Sequence, residues 1–190
     1  MSLLLVTLAV SLILGEVIDA DHVHNTTATY LELRPELGKY QDESKCFPLQ
    51  ETWYMMYRSH EIDPGFGGKA KCVKGYQTGP LVDGSAPIRL HIGGTNINAT
   101  YNLNSTEGYQ AKNAAEFMTS QGSVNVLIAY VDCATCCLFR HPYITSGPAC
   151  SVLVPESHLG KSTFCDFVFD LLCGASTKYQ VYEESCKEKR

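Results

Sequence analysis

Short apolar stretches rich in aromatic and β-branched residues are separated by turn residues over most of the chain after residue 50. This pattern is typical of strands joined by tight turns, since Gly, Pro, Asn and Asp adopt the backbone angles that turns require. It predicts eight strands, at Thr52–Ser59, Ala70–Thr78, Ile88–Ile92, Ile97–Leu103, Tyr109–Thr119, Val124–Val131, Cys136–His141 and Cys150–Val154. Eight short strands at near-regular spacing favour one antiparallel barrel or sandwich.

The segment Ser162–Cys173 has a different period. Its N-terminal Ser162 or Thr163 is suited to cap a helix, and Gly174 is suited to end one. Apolar residues recur at intervals of three and four, which predicts one apolar helical stripe formed by Phe164, Phe167, Val168, Leu171 and Leu172. We therefore expect a C-terminal helix that packs this stripe on the outside of the sheet.

The chain opens with an apolar run, Met1–Gly15, that is followed at once by polar sequence. The run is short for a membrane span and fits the core of a signal peptide. We expect residues 1–20 to be the signal peptide, with cleavage after Ala20, and residues 21–190 to form a single domain. An N-terminal membrane anchor is the alternative, and no later segment is long and apolar enough to span.

Composition supports a secreted globular protein. The chain has 190 residues, 45% of them apolar, and a net charge of -5. It therefore has a core of ordinary size and no basic surface that would favour nucleic acid as a partner. Three glycosylation motifs begin at Asn25, Asn98 and Asn104.

Nine cysteines favour an oxidising compartment, and their odd number leaves one free or paired with another molecule. The run from Cys133 to Cys137 resembles a redox or zinc motif, but disulfides are the favoured interpretation in a secreted chain. Adjacent Cys136 and Cys137 lie on opposite strand faces and are expected to bond in opposite directions. The histidines offer no pair at metal-ligand spacing, so no metal is expected; they are His22, His24, His60, His91, His141 and His158.

No catalytic motif is present: there is no nucleophile elbow, phosphate-binding loop, zinc-protease helix or dinucleotide fingerprint. The adjacent acids Asp42-Glu43 and Glu183-Glu184 are most simply solvated charges. A Cys–His nucleophile remains an alternative, but we expect a binding protein without a cofactor rather than an enzyme. A small closed barrel can hold one small ligand.

Several short motifs, in this order and spacing, resemble the salivary lipocalins of ticks, the family that includes the histamine-binding proteins. They are Trp53-Tyr54-Met55, Lys71-Cys72-Val73, the stretch 126–130, Cys136, Phe164-Cys165 and the tail 181–186. The general lipocalin G-x-W pattern is only half present, because Glu51 stands in place of Gly. The resemblance implies a mainly β fold: an eight-stranded antiparallel lipocalin barrel with a C-terminal α-helix packed outside.

The resemblance also implies disulfides. The family pattern pairs Cys72 with Cys186 and Cys136 with Cys165. Extending it pairs Cys46 with Cys173 and Cys137 with Cys150, which leaves Cys133 as the odd thiol.

Amine-binding members of this family place acids inside the barrel, after the seventh-strand cysteine and on the eighth strand. Here Cys137 follows Cys136, and Val152 and Val154 stand at the eighth-strand positions. The motif Asp63-Pro64-Gly65-Phe66 matches a mouth segment where such members use an Asp and an aromatic residue. Asp63 is equally explained as a turn residue before proline.

The ligand-binding residues expected from this comparison are Met55, Tyr57, Asp63, Phe66, Leu90, Phe117, Tyr130, Val152 and Val154. Such an apolar wall favours a neutral lipid or sterol whose polar end meets Tyr57 or Asp63. It is similar to that of the japanin-like subgroup, whose members carry cholesterol and reprogram host dendritic cells. The alternatives are a scavenger of histamine or serotonin, and an immunomodulator that binds a host immune-cell surface protein through its loops.

Overall fold

The computed structural model describes residues 30–175 and 177–187. The expected signal peptide and Asn25 lie outside these residues. One α-helix, α1, spans Phe164–Cys173, and short 3-10 turns occupy Leu31–Leu33, Pro35–Tyr40, Glu43–Cys46, Glu156–His158 and Glu184–Cys186. The strands are β1 Trp53–Arg58, β2 Lys74–Gln77, β3 Ser85–Ile92, β4 Thr95–Asn104, β5 Ala114–Thr119, β6 Gly122–Asp132, β7 Cys136–Arg140, β8 Cys150–Pro155 and β9 Tyr179–Gln180.

The first eight strands form a closed antiparallel barrel. Consecutive strands pair from β2 to β8, β8 pairs with β1, and β1 closes the sheet on β2 through Trp53 opposite Gly75. Strand β9 pairs with the C-terminal half of β1, where Tyr57 lies opposite Gln180. This confirms the expected eight-stranded barrel with its C-terminal helix outside. Within the described residues, none of the helices is long and apolar enough to cross a bilayer.

Two irregularities change which side chains face the barrel interior. The β1–β8 pairing shifts register between Met55 and Tyr57, and the β6–β7 pairing shifts between Ile128 and Tyr130. A bulge inserts one residue and so reverses the inward and outward alternation beyond it. Tyr57 and Tyr130 therefore face outward, although strict alternation from Met55 and Ile128 places them inside.

The buried apolar residues form two clusters on either side of the sheet. One fills the barrel and includes Met55, Phe66, Leu90, Phe117, Val126 and Phe139. The other lies between the outer face of the sheet and α1, and includes Tyr57, Leu138, Cys150, Val152, Val154 and Phe169. Strand β8 thus turns Val152 and Val154 toward the helix, which corrects the expectation that both line the ligand cavity.

Helix α1 begins after Thr163, whose N–H donates to the Asp166 carboxylate at 2.9 Å. Its buried face is formed by Cys165, Val168, Phe169 and Cys173. The predicted stripe is therefore rotated: Phe164, Phe167 and Leu171 are 56%, 61% and 62% exposed. The cause is covalent, since two disulfides at Cys165 and Cys173 fix which face meets the barrel.

The structure contains four disulfides: Cys46–Cys133, Cys72–Cys186, Cys136–Cys165 and Cys150–Cys173. The second and third are the pairs that the family pattern implies. The other two expected pairs are wrong, as is the assignment of Cys133 as the free thiol.

Strand register explains these errors. Cys137 faces the barrel interior as a free, buried thiol, whereas Cys150 lies opposite Arg140 on the outer face. Those two cysteines therefore cannot meet, and Cys150 is free to reach Cys173 at the end of α1. Cys46 lies near the turn after β6, where Cys133 is its partner. The adjacent Cys136 and Cys137 do point to opposite faces, but only Cys136 is bonded.

Candidate functional site

The barrel encloses a small apolar cavity of about 70 Å³. Aromatic rings form much of its wall, and Phe117 contacts three others, with ring centroids 4.6 Å from Tyr101, 5.2 Å from Phe66 and 6.1 Å from Phe139. Trp53 from the first strand also lines the cavity. A mostly apolar cavity favours a ligand that is itself mostly apolar.

Residues 43–49, which we call the cover segment, lie across the end of the barrel where β2, β4 and β6 finish. Three tethers hold it there. Cys46 is bonded to Cys133 in the turn after β6. The N–H of Glu43 donates to the Lys112 carbonyl at 3.1 Å, and that of Leu49 donates to the Gln77 side chain at 2.7 Å. The cover segment also supplies Glu43, Phe47 and Leu49 to the cavity wall.

Glu43 brings a carboxyl group to this apolar cavity. It is buried, accepts a short hydrogen bond from the Tyr101 hydroxyl, and lies 4.0 Å from the Cys137 thiol. Burial raises the pKa of Glu43 to about 7, although the Tyr101 hydrogen bond acts in the opposite direction. Lys74 also borders the cavity, with its ammonium donating to the Cys186 carbonyl at 3.1 Å. Among the described lining residues Glu43 is the one acid, and near neutral pH it can accept or release a proton.

The expected ligand-binding residues divide between the cavity and other places. Met55, Phe66, Leu90 and Phe117 line the cavity. Four others belong to the layer beneath α1 or contact it: Tyr57, Tyr130, Val152 and Val154.

Two tyrosines in that layer have defined partners on the helix. The Tyr57 hydroxyl donates to Asp166 at 2.6 Å, and burial, with the charge of Asp166, raises the pKa of Tyr57 far above its usual value. The Tyr130 ring packs on Phe164. Both tyrosines therefore hold the helix rather than a ligand in the barrel.

Asp63 lies at the opposite end of the barrel, behind Phe66. Its Oδ1 accepts hydrogen bonds from the N–H groups of Gly65 and Phe66 and from the Tyr143 hydroxyl, at 2.9, 3.1 and 2.8 Å. His60 Nε2 lies 3.0 Å from its Oδ2. Burial raises the pKa of Asp63, but these partners and the nearby histidines outweigh it and lower the pKa to about 2. Asp63 is therefore an ionised, fully partnered group that orders its own loop.

His141 joins Asp63 to Ser151. Its Nδ1 lies 3.7 Å from Asp63 Oδ2, and its Nε2 lies 2.8 Å from the Ser151 hydroxyl. The order Ser–His–Asp is that of a hydrolase triad. Ser151 is completely buried, however, so its hydroxyl is closed to a substrate carbonyl in this structure.

Sequence reasoning missed the polar part of the cavity. Glu43 was expected to be a solvated charge, and this is wrong because the cover segment folds it inward. Tyr101, Phe139 and Leu153 also line the cavity without having been singled out. On β8, Leu153 is the residue that faces the cavity. Strand alternation indicates this, because Val152 and Val154 share the opposite face with Cys150.

The sequence comparison identifies one family. A family model described as tick histamine binding protein matches residues 92–188, just over half of the chain. Comparison with curated proteins found no relative of significant sequence similarity.

Solved structures with the same fold include other lipocalins. Japanin from Rhipicephalus appendiculatus, bound to cholesterol, has a TM-score of 0.53 at 12% identity, covering 72% of this chain and 95% of japanin. The AM182 serotonin complex has a TM-score of 0.57 at 15% identity, covering 80% and 95%. Lobster apocrustacyanin A1 has a TM-score of 0.50 at 10% identity, covering 79% and 88%. These likenesses show the lipocalin fold, and the match over residues 92–188 shows that the chain belongs to the tick histamine-binding protein family.

Proposed function

We propose that this protein carries one small, mostly apolar molecule in the barrel cavity, with the polar end of the ligand at Glu43 and Tyr101. The observation that carries the proposal is the cavity wall itself, which is aromatic and aliphatic apart from a few polar groups near the cover segment. A hydroxyl or similar neutral group on the ligand would hydrogen-bond to the Glu43 carboxyl. It would supply the partner that water cannot, because an apolar cavity excludes water.

A neutral lipid or sterol is the ligand class that this wall favours. Burial of apolar ligand surface contributes roughly 25 cal/mol per Å² before the costs of binding. The cavity of about 70 Å³ is smaller than the roughly 150 Å³ that accommodates benzene. A sterol therefore requires the cover segment and the ring of Phe47 to move outward, and smaller apolar molecules require less.

A protonated biogenic amine is the second candidate, and Glu43 is the observation that favours it. An ammonium in a dry cavity needs a carboxylate partner and gains from aromatic faces such as those of Phe47 and Trp53. Asp63, the acid expected for this role, is less suited because His60, Tyr143 and two backbone N–H groups already occupy its oxygens.

Glu43→Gln separates the two candidates. If the ligand is neutral, native mass spectrometry of the purified protein shows a bound lipid, and its affinity changes less than about threefold in the variant and between pH 6 and 8. If the ligand is an amine, truncating a buried charge pair weakens binding at least about thirtyfold. Wild-type affinity for histamine or serotonin is then about tenfold lower at pH 6 than at pH 8, because Glu43 must release its proton.

The matched control is Glu116→Gln on β5, whose carboxylate bonds to Asn102 away from the cavity. Calorimetry with this variant should reproduce the wild type for either ligand class. An empty cavity that binds histamine or serotonin only with Glu43 intact would overturn the lipid proposal. A protein that takes up neither class would overturn both.

The proposal includes secretion into saliva and modulation of the host immune response, including dendritic cells, as the family resemblance implies. Leu153→Phe fills the cavity from its wall and tests whether the ligand is needed. We expect this variant to lose activity on dendritic cells together with ligand binding. Retained cell activity would favour a protein-binding immunomodulator that acts through its loops.

Glycosylation of the secreted protein is expected at Asn98 and Asn104. Both side chains are exposed on β4, so a glycan at either position meets no packed surface. Peptide-N-glycosidase should lower the mass of protein expressed in insect cells, and Asn98→Gln and Asn104→Gln should each remove one glycan. An unchanged mass after enzyme treatment would exclude both sites.

A further inference from the structure

Three potential metal ligands converge at the end of the barrel away from the cover segment. They are His60 Nε2, Asp63 Oδ2 and His141 Nδ1, and all three atoms lie within 4.8 Å of one another. His60 and Asp63 lie three residues apart after β1, His141 directly follows β7, and none of the three lines the proposed ligand cavity. We propose that they form a binding site for a divalent transition-metal ion of the Zn²⁺ class.

The spacing of the donor atoms fits such an ion. Bond lengths of about 2.1 Å to nitrogen and oxygen in a tetrahedral zinc site place neighbouring donors roughly 3.4 Å apart. The two distances from Asp63 Oδ2 fall on either side of this value, at 3.0 Å to His60 and 3.7 Å to His141. The two histidine nitrogens lie within 4.8 Å of each other, so rotation of the histidine rings toward Asp63 Oδ2 would bring all three donors onto one ion.

Two of the three residues have their other polar atom held by hydrogen bonds, as in established metal sites, whereas His60 Nδ1 is buried without a partner among the described residues. His141 Nε2 lies 2.8 Å from Ser151, which orients Nδ1 toward the other donors. Asp63 Oδ1 accepts the N–H groups of Gly65 and Phe66, whereas Oδ2 contacts His60 Nε2 and His141 Nδ1, and an ion between the three atoms would replace those two contacts. The Tyr143 oxygen lies 2.7 Å from His141 Nδ1 and 2.8 Å from Asp63 Oδ1, so an ion at Nδ1 would displace the first contact and leave the hydroxyl beside the site, where it can bond a metal-bound water.

The charges around the cluster act in opposite directions. Zn²⁺ binds carboxylate oxygens and neutral imidazole nitrogens, the donors that Asp63, His60 and His141 offer. The positive charges of Arg58 and Arg140 act on this cluster and oppose a cation, which limits the affinity.

Solvent reaches the cluster from one side. The His60 side chain is 9% exposed and borders a surface cavity of about 190 Å³ that also contacts Ile144 and Pro148. An ion entering there would tie the loop that carries Asp63 to strand β7. Phe66 in that loop lines the ligand cavity and packs on the His141 ring, with centroids 5.8 Å apart. Metal binding would therefore stiffen the wall of the cavity.

The test is titration of the metal-free full chain with Co²⁺ and then Zn²⁺. We expect one ion per chain, an intense visible Co²⁺ spectrum typical of four-coordinate sites, its loss on adding Zn²⁺, and a higher Tm with Zn²⁺ than with chelator. X-ray absorption at the zinc edge should show two imidazole nitrogens. His60→Ala, a change at the edge of the cluster, should weaken binding at least about tenfold while near-ultraviolet circular dichroism stays native.

Two controls address three of the four other histidines. His22→Ala/His24→Ala removes the pair outside the described residues, and His158→Ala removes one bonded to Ser157. Both variants should bind as the wild type does. The proposal is overturned if the wild type binds neither ion, if X-ray absorption shows fewer than two imidazoles, or if binding survives His60→Ala but not the double variant. Because no barrel ligand is used, these results are independent of the proposed carrier function.

Discussion

Replacing Arg140 with Met should lower the free energy of unfolding by about 3–5 kcal/mol, the usual cost of leaving one member of a buried ion pair without its partner. Arg140 lies at the end of β7, and its guanidinium bonds to the Glu32 carboxylate through Nε at 2.6 Å and through Nη2. Both side chains are almost fully buried. The variant leaves the Glu32 charge in a place where water does not reach it.

The loss should exceed that of an isolated pair because Arg140 joins three parts of the fold. Its Nη2 donates to the Leu172 carbonyl near the end of α1 at 3.0 Å, and its guanidinium lies 4.1 Å from the Tyr30 ring centroid. The Glu32 carbonyl accepts hydrogen bonds from Gln41 and Tyr109, each at 2.6 Å. Arg140 thus fastens both the segment that precedes the cover segment and the helix to the barrel.

Lys69→Met is the matched control, since it removes a cation from an ion pair of similar length. Lys69 lies 2.7 Å from Glu61, and the two side chains are 63% and 54% exposed. Urea unfolding of this variant should show a loss below about 1 kcal/mol. Arg140→Met/Glu32→Gln should recover part of the loss by removing the stranded charge. Equal effects from Arg140→Met and Lys69→Met would contradict this account.

Much of the barrel follows from local patterns. Strand period and turn residues place all eight strands, because alternation of apolar side chains and glycine- or proline-containing turns are local properties. Two strands are much shorter than expected: only Ala114–Thr119 of Tyr109–Thr119 forms β5, and only Lys74–Gln77 of Ala70–Thr78 forms β2. Before β2, Cys72 has a φ of 58°, which interrupts the extended backbone expected there, and its disulfide ties this point to the tail.

The cavity wall was harder to predict because it depends on strand register. Bulges after Met55 and Ile128 turn Tyr57 and Tyr130 to the outer face, and a bulge has no signal in apolar alternation. Counting positions back from Cys165 also put Val152 and Val154 inside. The Cys150–Cys173 disulfide shows why this count is wrong. Cys150 faces the helix, so Val152 and Val154, which alternate with it along β8, face the helix as well.

The two buried acids could not be assigned from sequence for a related reason. Glu43 lies in a polar stretch with no period, and only tertiary contacts and the Cys46–Cys133 bond bring it to the cavity. Asp63 lies in a recognisable turn, but one of its two histidine partners is distant in sequence: His60 is three residues before it, whereas His141 follows β7. The acid that lines the cavity is therefore Glu43 in the cover segment, at the end of the barrel opposite to the expected Asp63.

Glu43 should make stability depend on pH in a direction opposite to most carboxyls. Its pKa in the folded protein, about 7, is above the ordinary value of 4.5, so the folded state holds the proton more tightly than the unfolded chain. Stability is therefore greatest below pH 4.5 with respect to this group and falls as pH rises to about 7. His141, whose folded pKa of about 3 is below 6.5, contributes the opposite slope up to pH 6.5. Asp63, whose pKa in the folded protein is about 2 against an ordinary 3.8, makes stability depend on pH only below about pH 4.

Comparing wild type with Glu43→Gln isolates the Glu43 contribution, because the other groups are common to both. Gln can still accept the Tyr101 hydrogen bond and has no charge to bury. Relative to wild type, the variant should gain about 2.5 kcal/mol between pH 5 and pH 8, as measured by urea unfolding at each pH. Glu116→Gln should show no such gain. A stability difference between wild type and Glu43→Gln that stays constant from pH 5 to 8 would mean that Glu43 keeps an ordinary pKa and is already ionised at the cavity, where an amine would find its counter-charge ready.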